Sequence, residues 1–269
     1  MKQEKKGWGT WLLISAAAIY MGFLLIAPIG ALVNGLLQGG LRPVWESLKT
    51  PVLGEALTLS LLISLIVVAI QLVFGTLIAW IVVRQKFLLK PIVDNVIDLP
   101  FAISPVVVGY MLLLIFGRNG LLSPVLEALD FKVAFAVPGM VLATLFVCLP
   151  FMVREMIPVI KQLDQQQEFA AATLGAKRRV ILFRIIFPQL KKALIYGMTL
   201  TLARALGEFG AVLVIGGGIQ GRTETATLYI FRCLEERQFV QAYTTSILLG
   251  LFSVIIVFLA DRIKNSSGT

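Results

Sequence analysis

Histidine is absent from the 269 residues. This excludes His-ligated zinc or haem, a Ser-His-Asp triad and a histidine general base. Cysteine is nearly absent too. Cys148 lies in an apolar run and Cys233 in what reads as a polar loop, so neither a CxxC site nor a disulfide between them is expected. No GxxxxGK[ST] run occurs, so the chain carries no P-loop of its own. Charged residues make up only 14%, against roughly 25% in soluble domains. Glycine (23) and proline (11) are too few for a fibrous or disordered chain. What is abundant is apolar sequence: 58% hydrophobic residues and a mean hydropathy of +0.90. The pattern is that of a polytopic, all-α integral membrane protein.

Six stretches are long enough to cross about 30 Å of hydrocarbon, which takes roughly 20 helical residues. They lie near 11–33, 56–83, 92–116, 135–153, 193–215 and 242–260, and together make a single transmembrane domain. The first begins after Lys2, Lys5 and Lys6, is too long for a signal-peptide core and has no small-x-small cleavage site, so it reads as a retained span. Between these spans the bases sort by side. The N-terminus, the 84–90 loop, the 154–192 loop and the tail hold sixteen Lys and Arg, eight of them in 154–192. The three remaining loops hold seven bases balanced by seven acids, and Arg204 falls inside a span. The positive-inside rule then places both termini in the cytoplasm of a multi-pass bacterial inner (plasma) membrane protein. The formal net charge of +9 therefore reflects topology and implies no nucleic-acid partner.

The 154–192 loop is longer than a connection needs to be. Within it, Glu168-Phe169-Ala170-Ala171-Ala172-Thr173-Leu174-Gly175 favours a short helix with a turn or C-cap at Gly175, and Pro188 is expected to break any continuation into the fifth span. Such a helix suits close approach by a partner. It also suits an amphipathic helix held on anionic membrane lipid by its basic neighbours.

The spacing resembles the EAA signature of type I ABC importer permeases, glutamate-alanine-alanine-x3-glycine-x9-isoleucine-x-leucine-proline. Ala170, Ala171, Gly175, Ile185 and Pro188 occupy its positions, while Phe169 stands where the glutamate is usual, one residue after Glu168, and Phe187 replaces leucine. Three further segments, Asp98–Val107, Cys148–Glu155 and Ala203–Val212, resemble the sulfate/thiosulfate branch, its W-type subunits above all, and molybdate permeases share much of the last two. The resemblance implies a non-catalytic permease subunit with six spans and a cytoplasmic coupling helix made by Glu168, Phe169, Ala170, Ala171, Gly175 and Ala176. It further implies a heterotetramer with a second, T-type permease and an ATPase dimer, fed by a periplasmic sulfate-binding protein. No cofactor is implied for this chain, since ATP and magnesium would be bound by the ATPase.

Four ionisable residues fall within the spans: Asp94, Asp98, Arg204 and Glu208. Each costs about 2.5–3.5 kcal/mol at mid-membrane on insertion scales, so each should face protein or water. Asp94 reads as an interfacial residue. Asp98, Arg204 and Glu208 either pair with one another or with backbone to fix helix packing or, with Ser104, line a translocation path or gate. Interhelical bonding is the expectation for Ser104 and Thr144. Gly216-Gly217-Gly218 reads as a loose hinge or an outer gate. A molybdate or tungstate permease, and a secondary anion/proton cotransporter using Asp98, Arg204 and Glu208, are the competing readings; no inverted repeat supports the latter.

Overall fold

A computed structural model describes residues 8–266, as helices joined by short turns. It divides into two compact units, residues up to 50 with 230–248, and residues 51–229 with those from 249 onward.

The first unit contains α1 (Trp8–Gly39), α2 (Leu41–Leu48) and the junction between α13 (Ala226–Glu235) and α14 (Phe239–Ser266). No residue of α1 is buried, and Leu12, Ile19 and Phe23 are more than 70% exposed, as suits a helix whose solvent is lipid or another subunit. Cys233 is not in a polar loop as expected. It is a buried thiol inside α13 with its sulfur 3.7 Å from the Gln241 amide oxygen. Both cysteines are free.

The second unit is built on α3 (Pro51–Arg84), α8 (Val137–Gln162) and α11 (Phe187–Leu206). α8 is its centre: most of its apolar length is buried, whereas α3 buries one stripe and exposes the rest. The buried positions of α3, Ala56, Ser60, Ile63, Ser64, Val67, Gln71, Gly75 and Ala79, recur every three to four residues and so form one stripe. That stripe carries the small and polar residues, while the opposite face is leucine, isoleucine and phenylalanine. Helices in lipid pack by close approach and hydrogen bonds rather than by hiding apolar surface. Gln71 accordingly donates to the Leu145 carbonyl of α8 at 3.0 Å. Two clusters complete the core, one around Met140, Val147, Val212 and Ile215, the other around Met152, Met156, Ile160 and Leu190.

Four helices, α1, α3, α8 and α14, are long and apolar enough to cross a membrane, and a bent pair makes a fifth candidate. The expected third span, 92–116, is not one helix. It is broken into α4 (Lys90–Ile97), α5 (Leu99–Ala102) and α6 (Pro105–Phe116), with extended backbone at Ile103 and Ser104. Pro105 disfavours helical geometry at Ser104 and removes the donor that would continue the ladder.

The expected fifth span is bent by 59° between α11 and α12 (Gly210–Gly216). Its start also differs from expectation, because Pro188 does not break the chain. α10 (Arg178–Ile181) runs through a π-turn, Leu182–Ile186, directly into α11. In that wide turn the Phe187 N–H reaches the Leu182 carbonyl, and Pro188 sits in the first turn of α11, where a missing donor is tolerated.

α6 and α12 meet closely. A Cβ on Gly109 would lie 2.6 Å from the Ala211 carbonyl oxygen and 2.8 Å from Val214 Cβ. Gly109→Ala is therefore expected to destabilise the protein by about 1–3 kcal/mol through overpacking against backbone. Gly54→Ala, at a position with nothing within 4 Å, serves as the neutral control in thermal melts of purified protein.

Candidate functional site

The EAA-like segment forms α9 (Gln165–Thr173), with ends determined locally. At its start the Asp164 carboxylate accepts from the Gln166 N–H at 2.9 Å. At its end the Ala176 N–H bonds the Ala171 carbonyl and the Gly175 N–H bonds the Ala172 carbonyl, both at 3.0 Å, with Gly175 at φ +81°. This paired arrangement requires a left-handed residue, which glycine supplies without strain.

The side chains of α9 divide into two sets. Glu168 turns inward and pairs with Arg84 at the end of α3, and that guanidinium also lies 5.1 Å from the centroid of the Trp80 ring. Gln189 of α11 donates to the Gln167 side-chain oxygen at 3.2 Å. Phe169 and Leu174 face outward, 68% and 88% exposed, with Ala170 exposed beside them and Ala171 and Ala176 half-buried. The substitution of Phe169 at the usual glutamate position thus leaves an acid, Glu168, on the inner side and an aromatic ring on the outer side.

The four charged residues expected within the spans separate into two groups rather than one. Asp98 does not meet Arg204 or Glu208. Arg154 of α8 holds it in a two-point pair at 2.7 and 2.6 Å, and also bonds the Asp94 carboxylate at 2.7 Å and the Asp94 carbonyl at 2.9 Å. Asp94 and Asp98 stand one turn apart, so a single guanidinium spans both. The trio fastens the broken third span to α8. Arg154 was read only as a loop base; the spacing of the two aspartates was the signal that a shared cation exists.

Arg204 and Glu208 do pair, at 2.8 Å, across the bend between α11 and α12. Glu208 is 3% exposed, and its other carboxylate oxygen accepts from the Ala211 N–H at 3.0 Å in the first turn of α12. Its backbone carbonyl accepts from the Thr227 hydroxyl at 2.7 Å. One acid therefore satisfies the donor that the bend exposes and neutralises the arginine before it. Against this bend lies the break in the third span. Ser104 is the residue before α6, and a Cβ on Gly210 would stand 3.3 Å from the Val106 nitrogen and 3.4 Å from Pro105 Cβ. Two interrupted helices thus meet at one place, with Ser104 on one and Arg204 and Glu208 at the other.

Thr144 does not bond between helices; its hydroxyl donates to the Met140 carbonyl one turn back, the usual local option for a helical threonine. The Gly216–Gly218 run is tied to the segment that follows it. The Thr223 hydroxyl donates to the Gly216 carbonyl at 2.7 Å and accepts from the Ile219 N–H at 3.0 Å, clamping the loop.

This architecture, apolar helices long enough to cross a membrane with an exposed connecting helix between them, is that of an integral membrane protein. The chain belongs to the family described as binding-protein-dependent transport system inner membrane component, whose model matches residues 71–266. It is 40% identical over 266 residues (99% of this chain, 93% of the relative) to the sulfate transport system permease protein CysW of Synechococcus elongatus. It is 39% identical to the protein of the same name from Escherichia coli K12 (96% and 88% covered). Against the sulfate transport system permease protein CysT of that strain it is 33% identical, with 97% and 94% covered. A bacterial alginate ABC transporter, crystallised with an alginate pentasaccharide-bound periplasmic protein, has a chain of the same fold, with a TM-score of 0.80 at 16% identity and 96% of this chain covered.

Proposed function

We propose that this chain is the W-type permease subunit of an ATP-driven sulfate importer of the bacterial inner membrane. It would form half of the translocation path beside a T-type permease, on an ATPase dimer that binds ATP and magnesium. A periplasmic binding protein would deliver the anion. The observation that carries the reading is identity of 38–40% to sulfate permeases along nearly the whole chain, from the first span to the last.

Six spans complete the topology when α4–α6 counts as one interrupted crossing and α11–α12 as one bent crossing, with both termini cytoplasmic. On this orientation α9 lies on the cytoplasmic face. Its outer surface, Phe169, Ala170 and Leu174, would enter a groove of the ATPase as a short rigid helix. Glu168 would work from the inner side, tying α9 to α3 through Arg84, so that displacement of α9 moves the spans.

The energetics require such coupling. Against an inside-negative potential a dianion costs about 4.6 kcal/mol per 100 mV. A passive pore would leak sulfate outward. Alternating access avoids this: closure of the ATPase dimer displaces α9, the permease pair opens outward, and relaxation releases sulfate inward. At the meeting of the two helix breaks, Ser104 and the Arg204 guanidinium, which keeps 28% of its side-chain surface beside Glu208, would line the path of the anion, with Glu208 holding the arginine in place. Asp98, already neutralised by Arg154, would fasten the third span rather than touch the anion.

The test is uptake by proteoliposomes holding this chain with its co-expressed partner permease and ATPase, supplied with loaded binding protein and ATP. Labelled sulfate should accumulate, undiminished by a tenfold excess of molybdate. Accumulation of molybdate in preference to sulfate would transfer the protein to the molybdate branch.

A further inference from the structure

In the second unit a groove runs between α3 and the π-turn that leads into α11. Its volume is about 560 Å³, and its walls include Trp80, Phe183, Phe187, Leu194 and Met198. From Lys191 to Met198 it extends roughly 10 Å along the helix axis. Lys191 is the one charged side chain among its lining residues. The extra residue of the π-turn sets Phe183 and Phe187 side by side, ring centroids 6.4 Å apart, on one wall.

Depth and charge together indicate what fills this groove. Its inner part is lined by the apolar faces of α3 and α11, with the Thr76 hydroxyl the one polar side-chain group there besides Lys191. Its mouth opens where residues 177–192 carry six bases and no acid. Trp80 lies one turn before Arg84, the last residue of α3, and aromatic residues near the ends of spans favour the level between hydrocarbon and headgroups. Arg84, one turn beyond Trp80, is committed to Glu168, whereas Lys191 makes no ion pair among the described residues. We propose that the groove holds one acyl chain of an anionic phospholipid, with the lipid phosphate on Lys191. The proposed topology enters only in naming the leaflet, the cytoplasmic one. A lipid so placed would wedge between α3 and α11 beside the Arg84–Glu168 pair, and would brace the surface from which α9 projects.

The experiment is native mass spectrometry of the purified assembly, titrated with phosphatidylglycerol or with phosphatidylcholine of the same chains. Three forms are compared: wild type, Lys191→Ala and Leu77→Trp, the last adding bulk at a half-exposed wall position. Loss of one basic contact, worth about 1 kcal/mol near an anionic surface, should weaken phosphatidylglycerol binding about fivefold in Lys191→Ala and leave phosphatidylcholine unchanged. Leu77→Trp should retain one phosphatidylglycerol fewer than wild type. Inorganic phosphate at matched concentration should not compete, which separates a lipid from a free-anion site. Equal phosphatidylglycerol retention in all three forms would overturn the proposal, as it would if a helix of another subunit filled the groove. Equal weakening for both lipids in Lys191→Ala would overturn the headgroup assignment.

Discussion

Replacing Glu208 by alanine should destabilise the protein by about 3 kcal/mol, the lower end of the cost of removing one partner from a buried ion pair, because the Arg204 side chain stays 28% exposed. The carboxylate is 3% exposed and holds both the Arg204 guanidinium and the Ala211 N–H. Its loss leaves a partly buried guanidinium and a buried backbone donor unpaired at the bend between α11 and α12. Glu208→Gln keeps an oxygen for Ala211 but not the charge, and should fall between the two. The double variant Arg204→Leu/Glu208→Gln should recover stability relative to Glu208→Ala, because removing both charges is cheaper than stranding one. Thermal melts of the purified assembly read all four. A Glu208→Ala melt that coincides with wild type would show that the carboxylate does not hold the bend.

The second large effect concerns coupling rather than folding. Glu168→Arg sets two guanidiniums together where Arg84 is only 12% exposed, and should release α9 from α3. Transport is expected to fall more than tenfold while nucleotide hydrolysis continues, because the ATPase would then move a helix no longer tied to the spans. The exchange Arg84→Glu/Glu168→Arg restores opposite charges and should recover part of the transport. Recovery stays partial because the guanidinium over Trp80 is lost as well. Parallel assays of uptake and ATP hydrolysis distinguish this outcome from simple misfolding, in which both fall together.

The parts legible from sequence and those hidden from it differ for physical reasons. Long apolar runs identified α3 and α8, and the Arg204–Glu208 pair was visible because helical neighbours four residues apart share a face. Gly175 announced the end of α9 because a left-handed cap has one usual residue. The ties between segments were not visible. Arg154 and Asp98 are 56 positions apart and Arg84 and Glu168 are 84 apart, and no local pattern links such residues. The run 92–116 reads as one span by its hydropathy, whereas the backbone at Ile103 and Ser104, just before Pro105, leaves the helix altogether. The bend at Gly207–Phe209 contains no proline. Its signal was Glu208 itself, an acid in an apolar run that needs a donor the bend exposes. Pro188 misled in the other direction, since a single π-turn accommodates it.

The central claim, that α9 transmits the energy of a partner ATPase to a sulfate path, is tested most directly by a single substitution in reconstituted vesicles. Gly175→Asp places a side chain at φ +81° and adds charge to the exposed end of α9. Labelled sulfate uptake is measured with ATP on the cytoplasmic face and no ion gradient, then with a proton gradient and no ATP. The account predicts uptake only with ATP, abolished by Gly175→Asp in vesicles whose assembled complex is intact. Uptake driven by the proton gradient without ATP, and indifferent to Gly175→Asp, would contradict it.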